Sequence, residues 1–549
     1  MKIELPPIPD AERTPLVEAL LALIDAQQQR IGHLEETVGK LSDEIALLKG
    51  EKPRPKIAPS RLETPPPKSP PAPGDKRPGS QKRSKNASFL TAIEVAVPFP
   101  NPPAGSISNG YEEYFVQELL VHGEITRYLR ERIVTPDGQT LLAPLPADVL
   151  PGCHFGPILQ GYVLYQYHQC NVTQPLLLEQ LREFGIDISA GQIDRILTRN
   201  KDGFHQEKAE LLQAGLQTAS YVGVDDTTAR HDGKNGYATA IGNDLFAYFE
   251  STDCKSRLNF LSVLRGPGTG YAINDVALAY WRRQKLPQKL IELLSSGPCL
   301  FADEGAWQAR LQELGITAGR HVLIATEGAL LGVVIEQGAS PDLVILSDGA
   351  PQFDILVHAS CWVHAERPLA RMVPYTEAHR AQIEQLREQI WELYKDLKAY
   401  RDKPDCAAKA TLEARFDALV NQKTNYASIG AVLKEMRVHK ADLLRVLERT
   451  EVPLHNNGTE SIIRGYVKTR KISGGTRSEA GRRCRDTFAS LKKTCRKLGV
   501  SFWAYLSDRV RGLGQIPRLA ELIRKKAQEL TVGQEQAASP AAVGGGAAE

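Results

Sequence analysis

The sequence predicts a multidomain protein of mixed α+β and α/β architecture. The chain has 549 residues, which is too long for one hydrophobic core. Apolar residues recur at heptad spacing near the amino terminus, and farther along short apolar runs alternate with segments of helical periodicity. Hydrophobic content of 42% and charged content of 24% are those of folded globular domains rather than of a disordered chain.

Charge and cysteine usage exclude several classes of protein. The net charge of +3 indicates no particular partner, so a charged binding surface must be identified from where the charges lie along the chain. The eight cysteines contain no CxxC pair, which argues against a zinc ribbon and a disulfide framework. No apolar run reaches the length of a membrane span. The first residues, MKIELPPIPDAERT, lack the order of a signal peptide. We therefore expect a cytoplasmic protein with no membrane partner.

Residues 1–50 are predicted to form a coiled-coil oligomerisation helix. β-Branched residues recur every seven positions, at Ile24, Ile31, Val38 and Ile45. Leucines occupy the partner heptad position at Leu20, Leu34, Leu41 and Leu48, and Gln27 interrupts that series. This pattern favours a parallel two-stranded coiled coil. The alternative is an amphipathic helix that packs on its own domain. We favour the coiled coil because residues 51–104 form a basic, proline-rich linker that cannot bury a core.

A small β-rich module is predicted for residues 105–160, followed by a helical region over 161–215. In that region one helix should begin at Pro175 and end near Phe184, where Gly185 terminates it. Ser189 should cap a second helix, which turns three apolar side chains inward: Ile193, Ile196 and Leu197. Two short helices around a glycine turn are compatible with a DNA-binding helix-turn-helix, and equally with a plain helical hairpin.

The predicted core begins at residue 216, and two of its buried strands end in aspartates. Asp225 follows YVGV, and Asp348 follows VILS. The segment HASCWVHAERPLARMV and residues 376–450 are predicted to be helical, and 451–528 to resume the core with basic helices. Residues 529–549 are predicted to be a disordered tail.

Three carboxylates are the candidate catalytic and metal-binding residues: Asp225, Asp348 and Glu460. If the two strands are neighbours, their carboxylates converge at one edge of the sheet, and Glu460 on a later helix can join them. Carboxylates without histidine or cysteine suit Mg²⁺ or Mn²⁺. Two such ions, about 3.5–4 Å apart, serve phosphoryl transfer. The alternative is that each aspartate simply caps a turn.

A basic segment follows Glu460 and is the candidate DNA-binding surface. Glu460, Arg464 and Lys468 are spaced to share one helix face. Further cations follow at Arg470, Lys471, Arg477, Arg482 and Arg483. An acid on the metal and bases on the phosphodiester are what a DNA-cleaving site needs, whereas the alternative is a solvated basic face.

The combination of VDDT, LSDGAPQF, CWVHAER and HNNGTESIIR resembles the insertion sequence 66 family of bacterial transposases, over about residues 110–510. The resemblance implies an RNase H-like core spanning 216–375 and 451–528, with 376–450 as an inserted helical subdomain. It also implies a triad of Asp225, Asp348 and Glu460 that uses two Mg²⁺ or Mn²⁺ ions to cut and join DNA at the ends of the element. The expected partners are double-stranded DNA of the ends and target, a second copy of the chain and small accessory proteins, near the bacterial nucleoid.

This chain departs from the family pattern at several positions. Asp226 stands where glutamate is common, and it competes with Asp225 for the first catalytic position. His455 stands where aspartate is common. Cys361 and His364 have the spacing of half a zinc site but no second pair, so buried packing of Cys361 is favoured. The alternatives to a transposase are an inactive DNA-binding scaffold and an RNase H-like nuclease unrelated to mobility.

Overall fold

The computed structural model describes residues 9, 13–49, 95–98, 100–107, 111–112, 119–146, 149 and 154–538. Most of the predicted linker, 51–94, lies outside these residues, as does 539–549. The described strands are β1 (Arg132–Val134), β2 (Thr140–Leu142), β3 (Tyr221–His231), β4 (Lys234–Gly242), β5 (Ala247–Thr252), β6 (Tyr271–Ala272), β7 (Leu300–Phe301), β8 (Val344–Ser347) and β9 (Val357–Ser360).

The helices up to the last strand are α1 (Pro15–Lys49), α2 (Pro157–His168), α3 (Gln174–Glu183), α4 (Ala190–Thr198), α5 (Asp202–Thr218), α6 (Arg257–Arg265), α7 (Asp275–Arg283), α8 (Gln288–Ser295), α9 (Glu304–Glu313) and α10 (Gly319–Glu336). Those after it are α11 (Trp362–Arg371), α12 (Glu377–Asp402), α13 (Cys406–Val420), α14 (Ala427–Val438), α15 (Lys440–Leu443), α16 (Asn457–Ser473), α17 (Glu479–Leu498), α18 (Phe502–Arg511) and α19 (Leu519–Ala538). Short 3₁₀ helices occupy Pro351–Phe353 and Arg445–Leu447. No helix among the described residues is long and apolar enough to cross a bilayer.

A five-stranded mixed sheet with the order β5-β4-β3-β8-β9 forms the centre of the molecule. The first three strands form an antiparallel meander, and β8 and β9 run parallel to β3. Val222 and Val224 on β3 are fully buried, and all four residues of β8 are buried. A central strand covered on both faces reads as a continuous apolar run, which is why YVGV and VILS predicted these strands correctly.

Three local predictions were wrong. Asp225 does not end its strand, because β3 continues to His231 and pairs with β4 throughout. The predicted helix over HASCWVHAERPLARMV begins as strand β9, and α11 starts only at Trp362. Residues 529–538 belong to α19 rather than to a disordered tail, because they are mostly good helix formers with no proline before Pro540.

Helices α11–α15 form a separate helical cluster with its own core. Trp362, Phe416 and Leu397 are fully buried there. Trp362 Nε1 donates to the carbonyl oxygen of Leu443 at 2.7 Å, which satisfies the buried indole N–H. The helical cluster therefore has the composition of a small domain packed beside the sheet.

Helix α16 packs directly on β3, which brings a late part of the chain to the centre of the sheet. The side-chain amide of Asn456 donates to the carbonyl oxygen of Val224 at 2.8 Å. A Cβ at Gly223 would lie 2.2 Å from Thr459 Oγ1 and 2.5 Å from Asn456 Oδ1. A side chain at Gly223 would thus push the helix away, and glycine allows the close approach.

The outer edge of the sheet is covered by polar side chains of α17. The backbone N–H groups of Ala247, Phe249 and Ser251 donate to Thr494 Oγ1, Ser490 Oγ and Asp486 Oδ2. The three acceptors are spaced four residues apart, so they lie on one face of α17. The three donors are spaced two residues apart, so they point to the same edge of β5, and each donor meets one acceptor. This pairing satisfies groups that an exposed edge strand would leave open to another chain.

The region predicted as helix-turn-helix has the expected local structure. Helices α3 and α4 are separated by Gly185, which has φ +78°, and Ser189 caps α4 through a reciprocal hydrogen-bond pair with Gln192. Ile193, Ile196 and Leu197 are buried as predicted. DNA contact by these helices stays a prediction.

Helix α1 packs on the helical cluster through a polar stripe. Tyr426 Oη donates to Glu36, and the backbone N–H of Ser428 donates to Asp43 Oδ2 at 2.8 Å. Gly39 lies between these contacts, close to Thr376. The heptad residues on the rest of the helix are exposed: Leu20, Ile31, Leu34, Val38, Leu41, Ile45 and Leu48. The helix therefore does not use its apolar stripe to pack on its own domain.

Candidate active site

Three elements bring the predicted acids to one region of the sheet. Asp225 lies within β3, Asp348 directly follows the adjacent β8, and Glu460 lies in the first turn of α16. Because β8 is parallel to β3 and α16 packs on β3, the three residues converge despite their separation in sequence.

Asp225 is half-buried and lies among other negative charges. Its Oδ1 accepts a hydrogen bond from the backbone N–H of Asp226 at 2.8 Å. Burial raises the pKa of Asp225 to about 7, and the Asp348 carboxylate adds the largest electrostatic contribution, followed by Asp226 and Glu460. Desolvation and like charge both disfavour the ionised form. Asp225 therefore lies within range of the charges of Asp348 and Glu460.

Asp226 is engaged elsewhere. Thr239 Oγ1 donates to its Oδ1 at 2.5 Å, and Gln352 Nε2 donates to its Oδ2 at 3.1 Å. Successive strand residues point to opposite faces of the sheet, so the side chain of Asp226 lies on the face opposite to that of Asp225. These contacts give Asp226 a role in holding β4 and the 3₁₀ helix at Pro351–Phe353.

Asp348 is exposed in the turn after β8. Its Oδ1 accepts from the backbone N–H of Ala350 at 3.1 Å, as in the turn-capping alternative. Its other carboxylate oxygen makes no hydrogen bond with the described residues. Ser347 Oγ lies 2.8 Å from His358 Nε2, and His358 Nδ1 lies 3.3 Å from Asp442 Oδ2. The strand end before Asp348 is thereby fixed to the next strand and to the helical cluster.

Glu460 is surrounded by basic side chains from two helices. Arg464, one turn along α16, donates to Glu460 Oε2 at 3.3 Å. On α11, His364 Nε2 lies 3.7 Å and an Arg367 guanidinium nitrogen 3.8 Å from Oε1. Oε1 is buried and makes no hydrogen bond, and neither does the buried Nδ1 of His364. Burial, followed by the Arg367 charge, lowers the pKa of His364.

The donor set suits a divalent ion, but the side chains do not form a coordination cluster. Within the described part of the chain, no three His, Cys, Asp or Glu groups are close enough to hold a metal together. A carboxyl group, that of Asp225, whose pKa is raised by burial and by neighbouring acids, and a buried Glu460 oxygen without a hydrogen bond, match the chemistry of a hard cation. Metal binding at Asp225, Asp348 and Glu460 would therefore require their side chains to come closer together.

Cys361 has a structural contact. It is buried, and its Sγ accepts from the backbone N–H of Asn456 at 3.3 Å. Burial raises the pKa of the thiol, which keeps it neutral and unreactive. Asn456 stands at the N-cap position of α16, but its side chain bonds β3 instead of capping the helix.

The predicted DNA-binding residues fall into two groups. Arg464, Lys468, Lys471, Arg477 and Arg483 are exposed. Arg470 and Arg482 are half-buried and already engaged. Arg470 donates to the carbonyl and hydroxyl oxygens of Thr228 on β3, and Arg482 pairs with Asp253 and Glu479. The first group is placed to meet a ligand, whereas the second fixes helices to the sheet.

A cavity of about 470 Å³ lies between the β3–β4 turn and the start of α17. Its basic lining residues are Arg230, His231, Lys234, Arg482 and Arg485. The carbonyl oxygen of Arg230 accepts from the backbone N–H of Thr476 at 2.9 Å, which joins the β3–β4 turn to the segment before α17. The lining also contains Asp232, Asp253 and Glu479, so the cavity carries charges of both signs.

Comparison with known proteins gives a family match and a relative. Residues 347–483, which include Asp348 and Glu460, match the family described as "Transposase IS66 family". The chain is also 41% identical over 321 residues to "Uncharacterized protein y4jO" of Sinorhizobium fredii (strain NBRC 101917 / NGR234). The match covers 58% of this chain and 100% of that protein. The chain belongs to the IS66 transposase family, which confirms the resemblance drawn from its motifs.

Sequence reasoning missed the role of α11 in the site. His364 and Arg367 are one helical turn apart, so both can face Glu460. The motif CWVHAER contains both residues, but the spacing of Cys361 and His364 indicated half a zinc site instead. Nothing in the sequence indicated that Arg470 would bridge α16 to β3.

Proposed function

We propose that this chain is a metal-dependent DNA transposase that binds the ends of a bacterial insertion sequence, cuts them and joins them to target DNA. The observation that carries the proposal is the docking of α16 on β3, where Asn456 and Thr459 contact the strand that bears Asp225. With α16 docked there, Glu460 in its first turn would be within reach of the two aspartates once its side chain is free to move.

The topology supports an RNase H-like assignment for the core. An antiparallel meander of three strands, followed by parallel strands on one side, places Asp225 on the central strand and Asp348 on its neighbour. The helical cluster over α12–α15 then stands as an insertion between Asp348 and Glu460. Fold alone does not define a function, so the three acids carry the functional part of the proposal.

Asp225, Asp348 and Glu460 would hold Mg²⁺ or Mn²⁺, which would supply Lewis acidity toward the phosphodiester and activate the attacking oxygen. The chain's own residues orient the site. Asn456 fixes the start of α16, and Asp226 fixes the loop after Asp348 through Gln352. The exposed bases that follow Glu460 would contact DNA phosphates, which positions the duplex without reading its sequence.

We further propose that a second copy of the chain pairs along the exposed heptad seam of α1. The polar stripe at Glu36 and Asp43 is used within the chain, and the apolar seam lies elsewhere on the helix. Joining two DNA ends needs two protomers, and a parallel coiled coil supplies them.

The test is cleavage of DNA that carries the element ends, with Mg²⁺, by wild type and Glu460→Gln. We expect the substitution to abolish cleavage while duplex binding is retained. Glu521→Gln is a matched control, because Glu521 is also in the first turn of a helix and is exposed on α19. Equal cleavage by wild type and Glu460→Gln would refute the assignment. Binding without any cleavage by wild type would favour an inactive scaffold.

A further inference from the structure

The environment of Glu460 suggests a control on metal binding, which rests on the proposed function. We propose that Arg367 and Arg464, with His364, hold the Glu460 carboxylate away from Asp225 and Asp348 until DNA phosphates draw the arginines off. Arg367 and Arg464 are thus positioning residues that keep the site incomplete in the absence of DNA.

The first argument is the geometry of Glu460 Oε1. His364 and Arg367 lie 3.7 and 3.8 Å away, within range of charge attraction but beyond a hydrogen bond. Oε1 is buried and has no hydrogen-bond partner. A buried carboxylate oxygen left in this way is unfavourable, so the basic side chains hold it without satisfying it. A ligand that binds Glu460 Oε1 directly, such as a metal ion, can therefore displace these basic side chains.

The three acids do not form a metal site in the observed arrangement. The described residues contain no group of three metal-binding side chains close enough to share an ion. Glu460 nevertheless affects the pKa of Asp225 through its charge, so it lies near the two aspartates. Glu460 is the one of the three acids that basic side chains of two helices hold, so its release would help to complete the triad.

The third argument is the accessibility of the arginines. The Arg464 side chain is 78% exposed, and Arg367 is 30% exposed, whereas Glu460 is only 18% exposed. An arginine guanidinium binds phosphate through paired hydrogen bonds. A DNA backbone arriving at α16 would meet Arg464 first. Withdrawal of its charge from Glu460 Oε2 would then release the carboxylate to the metal.

The proposal makes a counterintuitive prediction for Mn²⁺ binding in the absence of DNA. Removing an arginine removes a competitor for Glu460. Isothermal titration of the full-length protein with MnCl₂ should therefore show tighter binding by Arg464→Gln and Arg367→Gln. We expect a gain of about two- to five-fold, the range of an exposed ion pair. Saturating duplex DNA should remove the difference between Arg464→Gln and wild type.

Three controls separate the outcomes. Arg371→Gln changes an exposed arginine on α11 and should leave the affinity unchanged. In the Glu460→Gln background, Arg464→Gln should also have no effect. Because Arg464 is exposed, its variant keeps the test valid even if Arg367→Gln folds poorly. Unchanged or weaker Mn²⁺ binding by Arg464→Gln would overturn the proposal. If Asp225→Asn also leaves Mn²⁺ binding unchanged, the proposed metal site itself fails.

Discussion

Asp225→Asn should stabilise the metal-free protein at neutral and alkaline pH. The pKa of Asp225 is raised from 3.8 to about 7 by burial and by the charges of Asp348, Asp226 and Glu460. The folded state therefore retains a proton that the unfolded state releases. Stability falls as pH rises from about 4 to 7 and then levels off. Asparagine removes this loss, and its side-chain oxygen can still accept from the Asp226 N–H.

The magnitude follows from the shift. A rise from 3.8 to about 7 corresponds to about 4 kcal/mol at pH 8 as an upper limit. Because Asp225 is only half-buried, solvent screening reduces the effect, and we expect about 2 kcal/mol. That equals a rise of roughly 4 °C or more in the midpoint of thermal unfolding for a core of this size.

The assay is thermal unfolding in EDTA at pH 4.5, 6 and 8, followed by circular dichroism. The gain from Asp225→Asn should be smallest at pH 4.5 and largest at pH 8. Added Mn²⁺ should stabilise wild type more than the variant, because the ion binds the folded carboxylate form. Asp226→Asn is the comparison and should give a smaller gain or a loss, because a weaker hydrogen bond to Thr239 or Gln352 offsets the removal of its charge from beside Asp225. A variant that is no more stable than wild type at pH 8 would refute the reasoning.

Two further substitutions test how the site and α1 are attached. Asn456→Ala removes the donor to the Val224 carbonyl and should cost about 1–3 kcal/mol of unfolding free energy, with reduced DNA cleavage; an unchanged unfolding midpoint would contradict the docking role. Asp43→Ala leaves the Ser428 N–H without its acceptor and should speed proteolysis of α1. It should not weaken self-association, measured by light scattering, because Asp43 lies off the heptad seam; loss of the dimer would contradict that separation.

The parts of the fold that depend on local patterns were predictable. The Ser189 cap and the buried run that became β8 follow from a few neighbouring residues. Strand β9 was missed because its residues are fixed by distant partners, with His358 bonded to Ser347 and Asp442. The polar docking of α1 was equally inaccessible, since Asp43 finds its donor at Ser428, far along the chain.

The candidate site was predictable in its residue types but not in its arrangement. A strand register and a helix docking bring Asp225 and Glu460 together, and neither can be read from spacing. The inward position of Asp225 rather than Asp226 was expected from strand alternation, and the contacts of Asp226 with Thr239 and Gln352 agree with it. The bases around Glu460 on α11 could not be inferred, because they depend on how the helical cluster returns to the sheet.

The path of the chain explains how the helical cluster joins the core without disturbing the candidate site. The backbone N–H of Trp362 donates to the Leu454 carbonyl at 3.0 Å, and that of Asn456 donates to Cys361 Sγ at 3.3 Å. The helical cluster therefore leaves and re-enters the core at one point beside the sheet. Loop closure depends only weakly on the length enclosed, so the residues between these contacts can vary while Glu460 stays in place. The same point fixes α11 beside α16, and so the connection that closes the insertion also places Arg367 against Glu460.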